Sequence, residues 1–140
     1  MKQIKTRNIK NIRTSIFYIL ILSILLGASL AACTTKPATG TLIISASESY
    51  QLYQDDVFVL DVRTAEEYQD SHLPGATLIP LDQLGARYGE LPQNETILVY
   101  CNSGNRSLQA VYLLENAGFD RVHSIDRGMK NWIQSGYVVE

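Results

Sequence analysis

From Thr41 to the end of the chain, short apolar runs alternate with segments in which apolar positions recur at helical spacing. Continuous apolar runs of this length, bounded by acidic and turn-forming residues, are typical of strands buried on both faces. They predict strands near residues 42–44, 57–60, 77–79, 96–100 and 119–125. Strands that alternate with helices predict an α/β fold, with a mainly parallel central sheet and helices on both faces.

The segments between the predicted strands carry helix start and stop signals. Ser45 with Glu48, and Thr64 with Glu67, have the spacing of capping boxes, so helices are predicted to begin after each. A helical turn is predicted at residues 81–84, a helix at 107–117 that ends at Gly118, and a last helix at 129–134. The apolar stripe of the 107–117 helix is assigned to Leu108, Val111, Tyr112 and Leu114.

The first 32 residues differ from the rest of the chain. A basic stretch at residues 1–13 precedes an apolar run at 16–26 broken only by Ser23, and small residues at 27–32 lead to Cys33. The apolar run is short for a membrane span, which needs ~20 apolar residues, and the order of parts is that of an export signal. Leu30-Ala31-Ala32-Cys33 resembles the lipobox of bacterial lipoproteins.

That resemblance implies cleavage before Cys33, a lipid thioether on its sulfur, and acylation of its new amino group with a fatty acid such as palmitate. The chain then divides into a signal peptide at 1–32, a lipidated cysteine with a polar tether at 33–40, and a folded domain at 41–140. The expected location is the cell envelope, anchored to a membrane and facing away from the cytoplasm. The alternative is an uncleaved N-terminal anchor with an incidental cysteine.

Charge also divides the chain. Five of its twelve basic residues lie before residue 33, whereas all fourteen acids lie after it, so the mature protein has a formal net charge of about −7. Such a domain is a poor candidate for binding nucleic acid.

The candidate chemistry lies where the predicted 96–100 strand ends. Ligands of an open parallel sheet bind beyond the carboxyl ends of its strands. Cys101 is the first residue after the predicted 96–100 strand. Asn102, Ser103, Gly104 and Asn105 form a small polar loop whose amides can turn toward an anion, as can the start of the following helix. These amides and Arg106 would lower the pKa of a Cys101 thiol from ~8.5 toward ~3.5–7.5.

Four motifs, in order along the chain, resemble those of single-domain rhodaneses, which are sulfurtransferases. They are Asp61-Val62-Arg63 with Glu66-Glu67-Tyr68, His72-Leu73-Pro74-Gly75-Ala76 with Ile79-Pro80-Leu81, the loop from Cys101 to Ser107, and Gly128-Met129 with Trp132. The family usually has two glycines before the last motif, where this chain has Arg127-Gly128. The resemblance implies a three-layer rhodanese fold over residues 41–140.

The resemblance also implies a reaction. The Cys101 thiolate would take the outer sulfur of an anionic donor such as thiosulfate and pass it to cyanide or a thiol, with no cofactor and no metal. Asn102 to Arg106 would form the binding loop, and Asp61 and Arg63 would support it. The protein is expected to be a monomer. The alternative is an anchored binding or sulfur-sensing module that does not turn over.

Other residues receive structural interpretations. Asp61 and Arg63 are expected to form an ion pair or loop clamp with Glu66 or Glu67, and His72 to support its Pro-Gly turn. Trp132, Tyr68 and Tyr112 are expected in the core or in the pocket wall. Two histidines and one free cysteine at unrelated spacings predict no zinc site. His123 lies in a strand pattern, and no role is assigned to it.

The loop length bears on the substrate. A similar loop in related dual-specificity phosphatases and arsenate reductases has five residues between the Cys and the Arg, whereas here there are only four, Asn102 to Asn105. The tighter loop predicts space for one sulfur atom and crowding of a tetrahedral phosphoryl group.

Overall fold

A computed structural model describes residues 42–140. The predicted signal peptide at 1–32, the lipidated Cys33 with its tether at 33–40, and Thr41 lie outside the described residues. Among residues 42–140, no helix has the length and hydropathy needed to cross a bilayer.

The described strands form one five-stranded sheet in which all pairs are parallel. The strands are β1 (Ile43–Ile44), β2 (Phe58–Asp61), β3 (Thr77–Leu78), β4 (Ile97–Tyr100) and β5 (Val122–Ile125). The helices are α1 (Ala46–Gln54), α2 (Ala65–Asp70), α3 (Leu81–Arg87), α4 (Asn105–Asn116) and α5 (Gly128–Gln134), with a 3-10 turn at Tyr88–Glu90. The predicted order of strands and helices is confirmed, and most predicted ends differ from the observed ones by one to three residues.

Both predicted capping boxes are present. The Ser45 hydroxyl accepts from the Glu48 amide at 3.2 Å while the Glu48 carboxylate accepts from the Ser45 amide at 2.9 Å. Thr64 and Glu67 make the same reciprocal pair at 3.2 and 3.0 Å. These bonds satisfy amides that the first helical turn leaves without partners, which explains why α1 and α2 begin where they do.

The strand order β1-β5-β4-β2-β3 positions the candidate site. The chain leaves β2 toward one edge of the sheet and leaves β4 toward the other, so the order reverses between these two neighbours. Asp61 pairs in register with Tyr100, and the Val62 amide donates to the Tyr100 carbonyl at 3.1 Å. Such a reversal opens a crevice at the carboxyl ends of the strands, and Cys101 lies directly at it.

Two apolar clusters cover the two faces of the sheet, as the three-layer prediction requires. One packs α3 and α4 against the sheet around Leu84, Val111 and Leu114. The other packs α1 and α5 around the fully buried Trp132, whose indole N–H donates to the Val138 carbonyl at 3.0 Å. The predicted three-layer α/β fold with a parallel central sheet is therefore confirmed.

Candidate active site

Cys101 follows β4 and is fully buried beneath its own loop. Gly104 closes this loop with a φ of 94°, a left-handed conformation that side chains with a Cβ rarely adopt. Its amide donates to Cys101 Sγ at 3.2 Å. The loop thus turns its amides toward the sulfur, and α4 begins at the next residue.

The surroundings of the thiol favour its ionised form. Burial raises the pKa of Cys101, but hydrogen bonds from the Ser107 amide and hydroxyl and from the Ser103 and Gly104 amides lower it by more. The net pKa therefore lies below the ordinary value. These donors would equally stabilise the negative charge of a sulfur atom added to Cys101.

A buried pair of serines under the loop was not singled out by the sequence. Ser107 Oγ lies 2.7 Å from Ser124 Oγ and 3.0 Å from the Gly104 carbonyl oxygen, and both serine side chains are buried. If Ser124 donates to Ser107, the single Ser107 hydroxyl proton is shared between the Gly104 carbonyl and the sulfur. Ser107 belongs to the motif quoted above, but its contact with Ser124 on β5 depends on tertiary structure.

Arg106 is held by an acid that the sequence did not assign to it. Its two terminal nitrogens donate to the two carboxylate oxygens of Glu67, each at 2.7 Å. This forked pair lowers the Glu67 pKa to about 2. Arg106 also interacts with Cys101, although Glu67 is its principal partner. The guanidinium is therefore oriented by α2 and partly neutralised.

The predicted partner of Arg63 was wrong. Arg63 binds Asp61 through three side-chain contacts of 2.7–3.0 Å and donates to the Ser71 carbonyl at 2.7 Å, whereas Glu67 is engaged by Arg106. The pair is buried, so Asp61 and Arg63 form a fixed internal ion pair with each other. Arg63 also lies 5.3 Å over the Tyr100 ring, and burial of that tyrosine raises its pKa. Arg63 and Arg106 line one surface depression of about 300 Å³.

The start of α5 touches the loop from behind. The Met129 amide donates to the Cys101 carbonyl at 2.8 Å, and the Lys130 amide donates to the Asn102 carbonyl at 3.2 Å. A Cβ on Gly128 would lie 2.0 Å from the Cys101 carbonyl oxygen, so this position requires glycine. Arg127, where the family usually has its other glycine, has a φ of 53°. The turn thus keeps a left-handed conformation with an arginine in it.

The remaining predicted residues fall into three groups. Asn102, in the loop, and Asn105, the first residue of α4, are exposed. Tyr68 and Trp132 pack in the predicted interior, but Tyr112 is half exposed, so its core assignment was wrong. The reason is that the buried stripe of α4 is formed by Ser107, Ala110, Val111 and Leu114, which leaves Tyr112 on the solvent side.

Neither histidine lies in the Cys101 loop. His72 stacks on Tyr68 with ring centres 3.8 Å apart, and its Nε2 lies 3.3 Å from the Glu140 carboxylate. His72 and Glu140 also exchange two backbone hydrogen bonds, of 2.6 and 2.8 Å, which fasten the end of the chain to the turn after α2. His123 is partly exposed on β5.

The chain is similar to proteins of known family. The model of the rhodanese-like domain matches residues 45–135. The putative sulfur carrier protein YrkF of Bacillus subtilis is 40% identical over 74 residues, which cover 53% of this chain and 40% of that protein. A protein named sulfurtransferase from Allochromatium vinosum is 33% identical over 82 residues, which cover 59% of this chain and 77% of that one. This chain therefore matches less than half of the Bacillus protein and most of the Allochromatium one.

Solved structures show the same similarity. A rhodanese-related protein from Thermoplasma volcanium superposes with a TM-score of 0.65 at 30% identity, covering 69% of this chain and 95% of that one. A thiosulfate sulfurtransferase from Pseudomonas aeruginosa superposes with a TM-score of 0.65 at 28% identity, covering 71% of this chain and 20% of that one.

Proposed function

Because the chain belongs to the family of rhodanese-like domains, we propose that it is a sulfurtransferase that carries a sulfane sulfur on Cys101. A role in sulfur transfer agrees with the names of its relatives, a sulfur carrier and a sulfurtransferase. The donor class and the residue that carries the sulfur are the proposed parts.

The proposed reaction has two displacements. The Cys101 thiolate attacks the outer sulfur of thiosulfate, the sulfur–sulfur bond of the donor breaks, and sulfite leaves with the bonding electron pair. The product is a Cys101 persulfide anion. An acceptor thiolate or cyanide then attacks the outer sulfur, and Cys101 leaves as a thiolate. No net oxidation occurs, and no cofactor takes part.

The observation that carries this proposal is the set of donors around Cys101 Sγ. Gly104 donates to the sulfur from 3.2 Å, and the Ser103 and Ser107 amides also lower the Cys101 pKa. The sulfur of Cys101 is negatively charged as the attacking thiolate and as the leaving thiolate, and the persulfide is also an anion. Hydrogen-bond donors that are already oriented toward it stabilise this charge at each step. Arg106, oriented by Glu67, would add positive potential for an anionic donor.

We propose that the loop accepts sulfur rather than phosphate. Gly104 fixes a loop with only four residues between Cys101 and Arg106, and a Cβ at Gly104 would lie 3.3 Å from the Arg127 amide nitrogen. The loop therefore has little room to widen around a tetrahedral group. We expect thiosulfate sulfurtransferase activity and no significant turnover of an aryl phosphate. Inserting a glycine after Gly104 should weaken sulfur transfer.

Mass spectrometry of the purified protein after treatment with thiosulfate tests the proposal directly. One added sulfur atom (~32 Da) should map to Cys101, and cyanide should remove it as thiocyanate. Cys101→Ser is the control, because it removes the Cys101 thiol and leaves Cys33 unchanged. Failure of Cys101 to gain sulfur, or phosphatase turnover that depends on Cys101, would contradict the assignment.

The alternative is a binding or sulfur-sensing module without turnover, which the complete burial of Cys101 makes worth testing. Such a module would give no thiocyanate in a thiosulfate:cyanide assay. A persulfide that forms but is not passed to cyanide or to a thiol would favour this alternative.

We further propose that the mature protein is held at a bacterial membrane by lipid on Cys33 and faces away from the cytoplasm. The order of basic, apolar and small residues before Cys33 supports this proposal. Two or more acyl chains give stable anchoring, whereas one gives only marginal binding.

A further inference from the structure

A surface depression of about 350 Å³ lies beside the Cys101 loop, on the side of α5. We name it the α5 depression. It is lined by Ser103, Arg127, Lys130, Asn131 and Gln134. Its volume falls in the range of small-molecule pockets, about 300–1,000 Å³, and no acidic side chain lines it.

The α5 depression carries positive charge on an otherwise acidic domain. Arg63, Arg87 and Arg106 are each paired with a carboxylate at 2.7–2.8 Å. Lys130, by contrast, forms no ion pair with any carboxylate of residues 42–140. The nearest acid to Arg127 is Asp126 at 3.7 Å, and both of these side chains are largely exposed, so water screens their attraction.

The backbone conformation of Arg127 indicates that its side chain has a functional role. A φ of 53° is unfavourable for a residue with a Cβ and favours glycine. The resemblance leads one to expect glycine there, and glycine would carry no such penalty. The turn cannot easily relax, because it is fixed between the close approaches of Gly104 and Gly128. Strained residues cluster at active sites and ligand-binding sites, and Arg127 lies beside the Cys101 loop.

Hydrogen bonds connect the α5 depression to the loop that surrounds the Cys101 sulfur. Ser103 lines it, and the Ser103 amide is one of the donors that face Cys101. The Lys130 amide donates to the Asn102 carbonyl at 3.2 Å. The Arg127 guanidinium donates to Asn131 Oδ1 at 3.1 Å, which holds it over the depression. A molecule bound to these cations would therefore lie next to the Cys101 loop, in contact with Ser103.

We propose that the α5 depression binds the carboxylate groups of an organic thiol that accepts sulfur from Cys101. The inference rests on the proposed function and specifies its acceptor. Thiosulfate and cyanide are too small to fill the depression, whereas a thiol of about tripeptide size would fill it. The acceptor thiolate attacks the outer sulfur of the persulfide, a new sulfur–sulfur bond forms, and the old bond breaks with its electron pair on Cys101. The acceptor leaves as a persulfide.

The test isolates the acceptor half-reaction. The protein is loaded with thiosulfate, desalted, and mixed with glutathione or with its diethyl ester, and the loss of the added sulfur from Cys101 is followed by mass spectrometry. Wild-type protein should react with a lower half-saturating concentration of glutathione than of the ester. Arg127→Gly, which suits the observed φ, and Lys130→Gln should each raise that concentration about threefold for glutathione, as expected for one exposed cation. The double variant should raise it roughly tenfold.

Two kinds of control variant show whether an effect comes from the positive charge of the depression. Arg127→Lys and Lys130→Arg keep the charge and should keep the preference for glutathione. Arg121→Gln removes one exposed positive charge at the amino ends of β4 and β5, where the Arg121 carbonyl accepts from the first residue of β4. Cys101 lies at the other end of these strands, so this variant should not change the half-saturating concentration of either acceptor. The ester rate should be the same in all of these variants.

The outcomes separate the two proposals. If thiosulfate adds no sulfur to Cys101, the proposed function is wrong and this inference is wrong with it. If Cys101 loads normally but wild-type protein treats glutathione and its ester alike, the inference alone is wrong. Equal losses with both acceptors in Arg127→Gly or Lys130→Gln would also overturn it, because that result would mean a damaged loop rather than a lost carboxylate site.

Discussion

Replacing Glu67 by glutamine should destabilise the domain and remove part of its sensitivity to acid. Glu67 has two functions in the structure: it closes the capping box with Thr64 and it forms the forked ion pair with Arg106. Glutamine has the same size and can keep the capping-box acceptor, since capping boxes use Glu or Gln. The substitution therefore tests mainly the charge that holds Arg106.

The magnitude follows from the Glu67 pKa, which lies at about 2 in the folded protein against an ordinary 4.5. At ~1.4 kcal/mol for each pH unit, this difference sets an upper limit of ~3.4 kcal/mol. Both side chains are about one-third exposed, so we expect a smaller contribution of ~1–2 kcal/mol. For a domain of this size, that loss lowers Tm by roughly 4–16 °C.

The pH dependence has a definite sign. The folded-state pKa is depressed, so the contribution is fully present above pH 4.5 and is lost as pH falls toward 2. About half of it should be gone near pH ~3.2, midway between the two pKa values.

Urea unfolding of wild-type protein and Glu67→Gln between pH 3 and 7 measures this contribution. The gap in unfolding free energy should be widest at neutral pH and should shrink below pH 4.5. Glu66→Gln is the matched control, because Glu66 lies in the same helical turn and is exposed. A gap that stays constant across the pH range, or one equally large in Glu66→Gln, would refute the reasoning.

Three further predictions concern the loop and the anchor. Ser107→Ala should raise the apparent pKa of Cys101, measured by iodoacetamide alkylation across pH, by roughly one pH unit because one hydrogen bond to the thiolate is lost; an unchanged profile would contradict this. Gly128→Ala should reduce sulfur transfer at least about tenfold, since its Cβ would lie 2.0 Å from the Cys101 carbonyl oxygen, whereas Gly89→Ala meets nothing within 4 Å and should be neutral. Cys33→Ser should block processing and release the protein from membranes; unchanged size and membrane retention would make the lipoprotein interpretation wrong.

Local signals in the sequence were sufficient for most of the fold. Ser45-x-x-Glu48 and Thr64-x-x-Glu67 predicted both helix starts because a capping box is a contact within four residues. Gly118, with a φ of 98°, follows the end of α4 as predicted. Such features depend only on neighbours along the chain.

Contacts between distant segments could not be predicted in the same way. Glu67 and Arg106 are 39 residues apart, and Ser107 and Ser124 are 17 apart, so their pairing depends on the strand order. Tyr112 was misplaced for a different reason. The stripe was drawn from large apolar residues, whereas the buried face of α4 includes the small Ser107 and Ala110.

The stabilisation of Cys101 illustrates why local geometry outweighs overall charge in this domain. Beyond residue 32 the chain has twice as many acidic as basic residues, and a distant negative field opposes an anionic sulfur. That field is screened beyond ~8 Å at physiological ionic strength, whereas the Gly104 amide lies 3.2 Å from the sulfur. Arg106, whose guanidinium also interacts with Cys101, is already paired with Glu67. The low Cys101 pKa must therefore come mainly from neutral donors held by the backbone. It follows that added salt should change the Cys101 pKa very little, while substitutions that move the loop should change it strongly.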